Sequence, residues 1–230
     1  MTRLLLFDVD GTLVDVDGAG REALRAAMAQ VYGETGPIDD VDFHGRTDPS
    51  IVRGLLRAAG QADERIDPGL PALWRVYVGR LEAELEARAG TVRPHPGVRD
   101  LLGRLEGDAR FTLGLVTGNV REGALRKLEA CGVRAPFLVG AFGSDAERRE
   151  ELPPLAVRRA RRRTGRHFRG EQVWVIGDTP ADIRCGRHSG HRTLGVATGR
   201  YGAEELLRHG ADEVVEGLGD HEVLVRRLAA

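Results

Sequence analysis

Lysine is almost missing from this chain: Lys127 is the only one in 230 residues, so nearly every positive charge is an arginine. Any mechanism that requires a lysine amine has a single candidate. Cysteine is as scarce. Cys131 and Cys185 show neither CxxC nor metal-ligand spacing, which excludes a disulfide framework and predicts two reduced thiols in or near the core. Long apolar runs are absent too. The stretch at the amino terminus is about five residues long and runs into Asp8, too short for a signal peptide or a membrane span. The expectation is a cytoplasmic protein with no membrane partner. Neither sign of charge is in excess, with 34 Lys+Arg against 35 Asp+Glu and a formal charge of -1. No net field draws the molecule to nucleic acid, and an anionic substrate would need a local positive site. The basic run from Arg158 to Arg166 reads as the solvated face of a helix.

What the chain does have is a regular alternation. Apolar segments with strand character span Leu4 to Asp8, Phe111 to Thr117, Phe137 to Phe142, Gln172 to Asp178 and Thr193 to Thr198, with a weaker one from Glu213 to Glu216. Helical patterns lie between them: Val98 to Leu105, Arg121 to Cys131, Pro154 to Thr164, Ala181 to Ser189 and Ala203 to His209. Strand alternating with helix at these intervals predicts an α/β fold with a doubly wound parallel sheet. The interval between the first two strands is too long for one crossover helix. Residues 15–93 read as helical, with Arg21 to Val31, a helix capped by Asp48 with Pro49 at its first position, and a long helix from Leu70 to Ala89. The expected organisation is an α/β core from residues 1–14 and 94–230, with residues 15–93 as a small helical domain over the end of the first strand.

Chemistry concentrates at strand ends. Arg3-Leu4-Leu5-Leu6-Phe7 leads directly into Asp8-Val9-Asp10-Gly11-Thr12. The carboxyl end of a buried strand in an α/β sheet is where binding crevices form. Residues i and i+2 of a strand share a face, which would set the two acids about 7 Å apart, near enough to share a metal or divide acid and nucleophile roles. Thr117-Gly118-Asn119 ends the next strand with a hydroxyl, a turn and exposed backbone NH groups suited to a phosphate. Gly177-Asp178-Thr179-Pro180-Ala181-Asp182 ends another, and its two acids facing Asp8 and Asp10 would repel without a cation. A hard divalent ion with oxygen ligands, most naturally Mg2+, resolves that. Before a proline-marked helix start stand Arg148 and Arg149, either of which offers a planar fork for phosphate oxygens.

In order, DVDGT, TGN, a cation before a helix, and GDTPAD resemble the four motifs of the haloacid dehalogenase superfamily, over residues 4–198, with the helical insert where that superfamily's type 1 cap lies. The resemblance implies a Rossmann-like core and a hydrolase similar to phosphoglycolate phosphatases. It makes Asp8 the nucleophile and Asp10 the general acid and base. Thr117, with Gly118 and Asn119, would bind the phosphoryl group, and Arg149 would stand where a lysine is usual, Arg148 being the neighbouring alternative. Asp178 would hold Mg2+ with Asp8 and the backbone carbonyl of Asp10, supported by Asp182 and Thr12.

Within that superfamily Asp10 argues against dehalogenation, since a departing halide needs no proton. Residues 15–93 contain no lysine for a Schiff base, which argues against phosphonatase chemistry. Phosphomonoester hydrolysis is the reading preferred. A phosphomutase, or a phospho-accepting signalling or binding module without turnover, is the alternative. The expected partner is a small phosphate ester, phosphoglycolate-like, a sugar phosphate or a nucleotide, and the expected assembly is a monomer or weak homodimer. Phe43-His44-Gly45-Arg46-Thr47-Asp48 resembles the cap segment that lies over the active site in such phosphatases, so Arg46 or His44 is expected to meet the non-phosphate end of the substrate.

Overall fold

The computed structural model describes residues 2–134 and 137–230. Its six-stranded sheet is parallel throughout: β1 (Arg3–Phe7), β4 (Phe111–Thr117), β5 (Val139–Phe142), β6 (Val173–Gly177), β7 (Arg192–Val196) and β8 (Glu213–Val215), in the order β5-β4-β1-β6-β7-β8. A separate two-stranded ribbon joins β2 (Val14–Asp15) to β3 (Arg93–Pro94). The doubly wound sheet is the one expected.

Strand β1 is apolar at every position from Leu4 because both of its faces are covered. Leu4 and Leu6 join Val173 and Val175 in one cluster with α6 (Leu152–Thr164). Leu5 and Phe7 join Leu113, Leu115, Trp174 and Ile176 in the other, with α4 (Val98–Glu106) and α9 (His221–Ala229). Period two thus sorts one run of leucines into two cores. The chain departs from β1 to β4 and β5 on one side and to β6, β7 and β8 on the other. Such a switch point opens a crevice beyond the carboxyl ends of the central strands. Helices α5 (Arg121–Ala130), α7 (Pro180–His188) and α8 (Ala203–Arg208) complete the crossovers.

Between β2 and β3 lie α1 (Ala19–Tyr32), α2 (Asp48–Ala58) and α3 (Asp63–Ala87). Helix α1 packs along α3, and α3 also reaches α5 of the sheet layer. Their buried Leu24, Met28, Ile51, Leu55 and Tyr77 belong to the same apolar cluster as Leu5 and Phe7. Among the described residues no helix is long and apolar enough to cross a membrane. Both cysteines are free and buried.

Several boundaries depart from expectation. The first strand stops at Phe7, so Asp8 and Asp10 stand in the loop beyond it and the shared-face argument for strand residues does not govern them. The ribbon β2–β3 and helix α9 were not anticipated. Helix α3 begins at Asp63, not Leu70, with Pro68 and Pro71 inside it. Tertiary contact outweighs propensity there: Ile66 is buried and its carbonyl accepts from the Tyr32 hydroxyl at 2.8 Å. The cap of α2 is Thr47, not Asp48. Its hydroxyl accepts from Ser50 N at 3.3 Å, and Ser50 Oγ in turn accepts from Thr47 N at 3.2 Å. That leaves the Asp48 carboxylate free for another partner.

Candidate active site

The loops after β1, β4 and β6 meet in one cavity of about 420 Å³, whose walls include Asp8, Asp10, Thr117, Gly118, Asn119, Arg149 and Asp178. Asp8 is buried, and its amide extends the β1–β6 ladder by donating to Ile176 O at 2.9 Å. One carboxylate oxygen, Oδ2, lies 3.0 Å from Arg149 Nη2. The other, Oδ1, is buried with no hydrogen-bond partner among the described residues. Burial raises the Asp8 pKa to about 6 against the pull of Arg149, with Asp182 and Asp10 adding to the rise.

Arg149 is buried, while Arg148 is exposed and lies 3.8 Å from Glu151. The next helix, α6, starts with prolines at its first positions, and the turn before it directs residue 149 inward. Its Nη2 also donates to Asp182 Oδ1. Burial disfavours the guanidinium charge, but Asp182 and Asp8 more than offset this and hold its pKa well above the ordinary value.

Asp178 follows β6 and accepts from Thr12 Oγ1 at 3.0 Å. Burial, with Asp182 and Asp8 beside it, pushes its pKa well above the carboxylate range. The space around it depends on a missing side chain: a Cβ on Gly199 would stand 1.9 Å from Asp178 Oδ2. Asp182 caps α7 together with Thr179, accepting from Thr179 N at 3.0 Å and Thr179 Oγ1 at 2.7 Å. Asp8, Asp178 and Asp182 therefore bring three buried carboxylates within 4.8 Å of one another, with Arg149 as the cation against them. This excess of negative charge, together with the orphaned oxygen of Asp8, gives the cluster the composition to hold a divalent cation. Asp182 is the third carboxylate of this cluster, and both of its oxygens already accept hydrogen bonds. The Asp10 carboxylate is turned elsewhere.

Asp10 Oδ2 accepts from Asn119 Nδ2 at 2.8 Å and from Lys127 Nζ at 2.6 Å, and its Oδ1 is buried without a partner. Asn119 Nδ2 also donates to Thr117 Oγ1 at 2.8 Å, tying the end of β4 to Asp10. Lys127 was not anticipated at the site, although its being the sole lysine singled it out.

The segment before α2 closes the cavity from the other side. Thr47 Oγ1 donates to Glu147 O at 2.6 Å, Asp48 N donates to Gly118 O at 2.8 Å, and Asp48 Oδ2 accepts from Val120 N at 2.7 Å. Burial raises the Asp48 pKa to about 6, opposed by Lys127. Arg46 and His44 both line the cavity and are exposed. Arg46 Nη2 donates to Ser50 O at 3.2 Å, while His44 Nδ1 lies 2.5 Å from Asp42 Oδ1, which also receives Arg200 on its second oxygen at 3.0 Å.

Residues 2–190 match the haloacid dehalogenase-like hydrolase family. The chain belongs to that family. Among family relatives, a phosphoglycolate phosphatase from Vibrio cholerae is 27% identical over 221 residues, covering 94% of each chain. A pyrophosphatase PpaX from Bacillus pumilus is 26% identical over 217 residues, covering 94% of this chain and 93% of its own. In fold, a hydrolase from Pseudomonas syringae superposes over 100% of both chains with a TM-score of 0.69 at 20% identity. That likeness of fold extends along the whole chain. The resemblance read from DVDGT, TGN and GDTPAD identified the same family.

Proposed function

We propose that this family member is a Mg2+-dependent phosphomonoester hydrolase of the cytoplasm, a monomer or weak homodimer, that works through an aspartyl phosphate on a small phosphorylated metabolite. One observation carries the reading. Asp8 and Asp10 each have one oxygen held by a cation and one buried oxygen without a partner, on the wall of the same cavity.

Two free carboxylate oxygens divide the chemistry. Asp8 Oδ1 attacks phosphorus and forms the new O–P bond as the ester O–P bond breaks, while Asp10, protonated on Oδ1, gives its proton to the departing alkoxide. Water then attacks the phosphoryl group on Asp8. Asp10 takes a proton from that water, the Asp8 O–P bond breaks, and inorganic phosphate leaves. Arg149, Thr117 and the Gly118–Asn119 backbone stabilise charge on the phosphoryl oxygens. Asp8, Asp178 and the Asp10 carbonyl would hold Mg2+, with Thr12 and Asp182 orienting the set. When bound, the ion supplies charge neutralisation on the phosphoryl group.

Residues 15–93 act in this reading as a cap that sets the alcohol accepted. Two family relatives carry names that denote small phosphorylated substrates, phosphoglycolate and pyrophosphate. The cavity is of a size to enclose a metabolite of that class, and Arg46 and His44 face its outer part. The test is phosphate release from a panel of phosphate esters with Mg2+ and with chelator, using Asp8→Asn as control. Activity retained by that variant, or full rate in metal-free protein, overturns the reading.

A further inference from the structure

Two residue types occur once each in this chain, lysine at position 127 and asparagine at position 119. Both converge on a single atom, Asp10 Oδ2, at 2.6 and 2.8 Å. They also bind one another, Lys127 Nζ donating to Asn119 Oδ1 at 2.6 Å. Lys127 lies on α5 with only 5% of its surface exposed, and that is costly for an ammonium unless it is paired. Burial disfavours its charge, but Asp10, Tyr77 and Asp48 outweigh that and raise its pKa.

Room is made for it. A Cβ on Gly20 of α1 would stand 3.1 Å from the Lys127 amine and 3.7 Å from the Tyr77 hydroxyl. The ammonium is thus enclosed where α1, α3 and α5 meet, and its reach ends on the carboxylate. A solvated ion pair would need none of this. Oδ2 receives two strong donors while Oδ1 receives none.

We propose that Lys127 is a positioning residue for proton transfer: with Asn119 it pins Asp10 Oδ2, so that the proton exchanged with the leaving group resides on Oδ1 alone, directed at the ester oxygen. The inference rests on the phosphatase reading and deepens it. Two donors occupy Oδ2 and fix the carboxyl plane, which leaves Oδ1 as the open oxygen. The reaction step itself is unchanged: Oδ1–H gives its proton to the alkoxide as the ester O–P bond breaks. Lys127 neither donates nor accepts that proton, and Arg149 remains the cation of the phosphoryl site.

The consequence is a dependence on the leaving group. An alkyl phosphate needs the proton for its alkoxide to depart, whereas p-nitrophenolate departs as a stable anion. Measured as kcat/KM, which reports the steps through the first O–P cleavage, Lys127→Met is expected to lose about 100-fold with an alkyl phosphate of the panel, within the range a positioned acid supplies. With p-nitrophenyl phosphate it is expected to lose less than about threefold, because no proton transfer is required there. Lys127→Gln keeps an N–H donor group without the charge and should show the same selectivity in smaller measure; it serves as the test variant if Lys127→Met does not fold. Equal losses on both esters, or no loss on either, overturn the positioning role. Failure of the wild-type protein to hydrolyse either ester with Mg2+ overturns the phosphatase reading instead.

Discussion

The guanidinium of Arg149 stands 3.0 Å from Asp8 Oδ2, and the same nitrogen also donates to Asp182. One cation therefore spans the loop after β1 and the first turn of α7, and it leaves a single Asp8 oxygen free. Removing it strands two buried carboxylates. Arg149→Met is expected to melt well below the wild type, since breaking a buried pair from one side costs about 3–5 kcal/mol. It should also lose phosphatase activity beyond what the stability loss explains. Arg149→Lys, with charge but no fork, should recover more stability than activity. Thermal melts beside kinetics check both.

Metal should act through the same carboxylates. Mg2+ at about 100 times its dissociation constant contributes about 2.7 kcal/mol to the folded state. For a chain of this size that is a rise of roughly 5–10 °C in Tm. Asp178→Asn is expected to abolish the Mg2+-induced shift without melting lower than the wild type in chelator, because burial and its carboxylate neighbours already disfavour the Asp178 charge when no metal is bound. Gly199→Ala should weaken the shift as well, its Cβ intruding on Asp178.

The pH dependence has a definite sign. Asp8 and Asp48 have folded pKa values raised to about 6 from 3.8, so between these values the folded state binds more protons than the unfolded one. Their contribution to stability is complete below about pH 4 and is lost as pH rises through 6. Metal-free protein with Asp48→Asn, which can still accept from Val120 N, should show a shallower fall in Tm from pH 4 to 6 than the wild type. An unchanged slope would remove Asp48 from the account.

The segment before α2 offers a separable test of specificity. Arg46 is exposed and, among the described residues, its side chain holds only the Ser50 carbonyl, so Arg46→Ala should alter stability by less than about 0.5 kcal/mol. If Arg46 meets the far end of the ester, KM rises for esters with an anionic tail while kcat holds. An unchanged KM and substrate profile across the panel would abandon that role.

How far the sequence led differs from residue to residue. Asp8 and Asp178 were placed at the cavity because each follows an apolar run, and a parallel sheet collects strand ends on one side. Arg149 over Arg148 was only a matter of counting; the turn before α6 buries one and exposes the other. Thr47 and Asp48 are both acceptable caps, and the choice between them rests on Val120 N, an amide 72 residues away that takes the aspartate. Helix α9 shows its helical face only through packing on α4, where Leu224 and Leu228 are buried.

By itself the sequence determined the alternation of strand and helix, the family and the order of acids along the chain. These follow from period, spacing and residue type, which are local. Only the tertiary structure decided which oxygen of Asp8 and which of Asp10 is free. That selection is made by Lys127 from a distant helix and by Arg149 from the turn before α6. Hydrogen-bond partners are a property of atoms brought within 3 Å by packing, and no spacing along the chain encodes them.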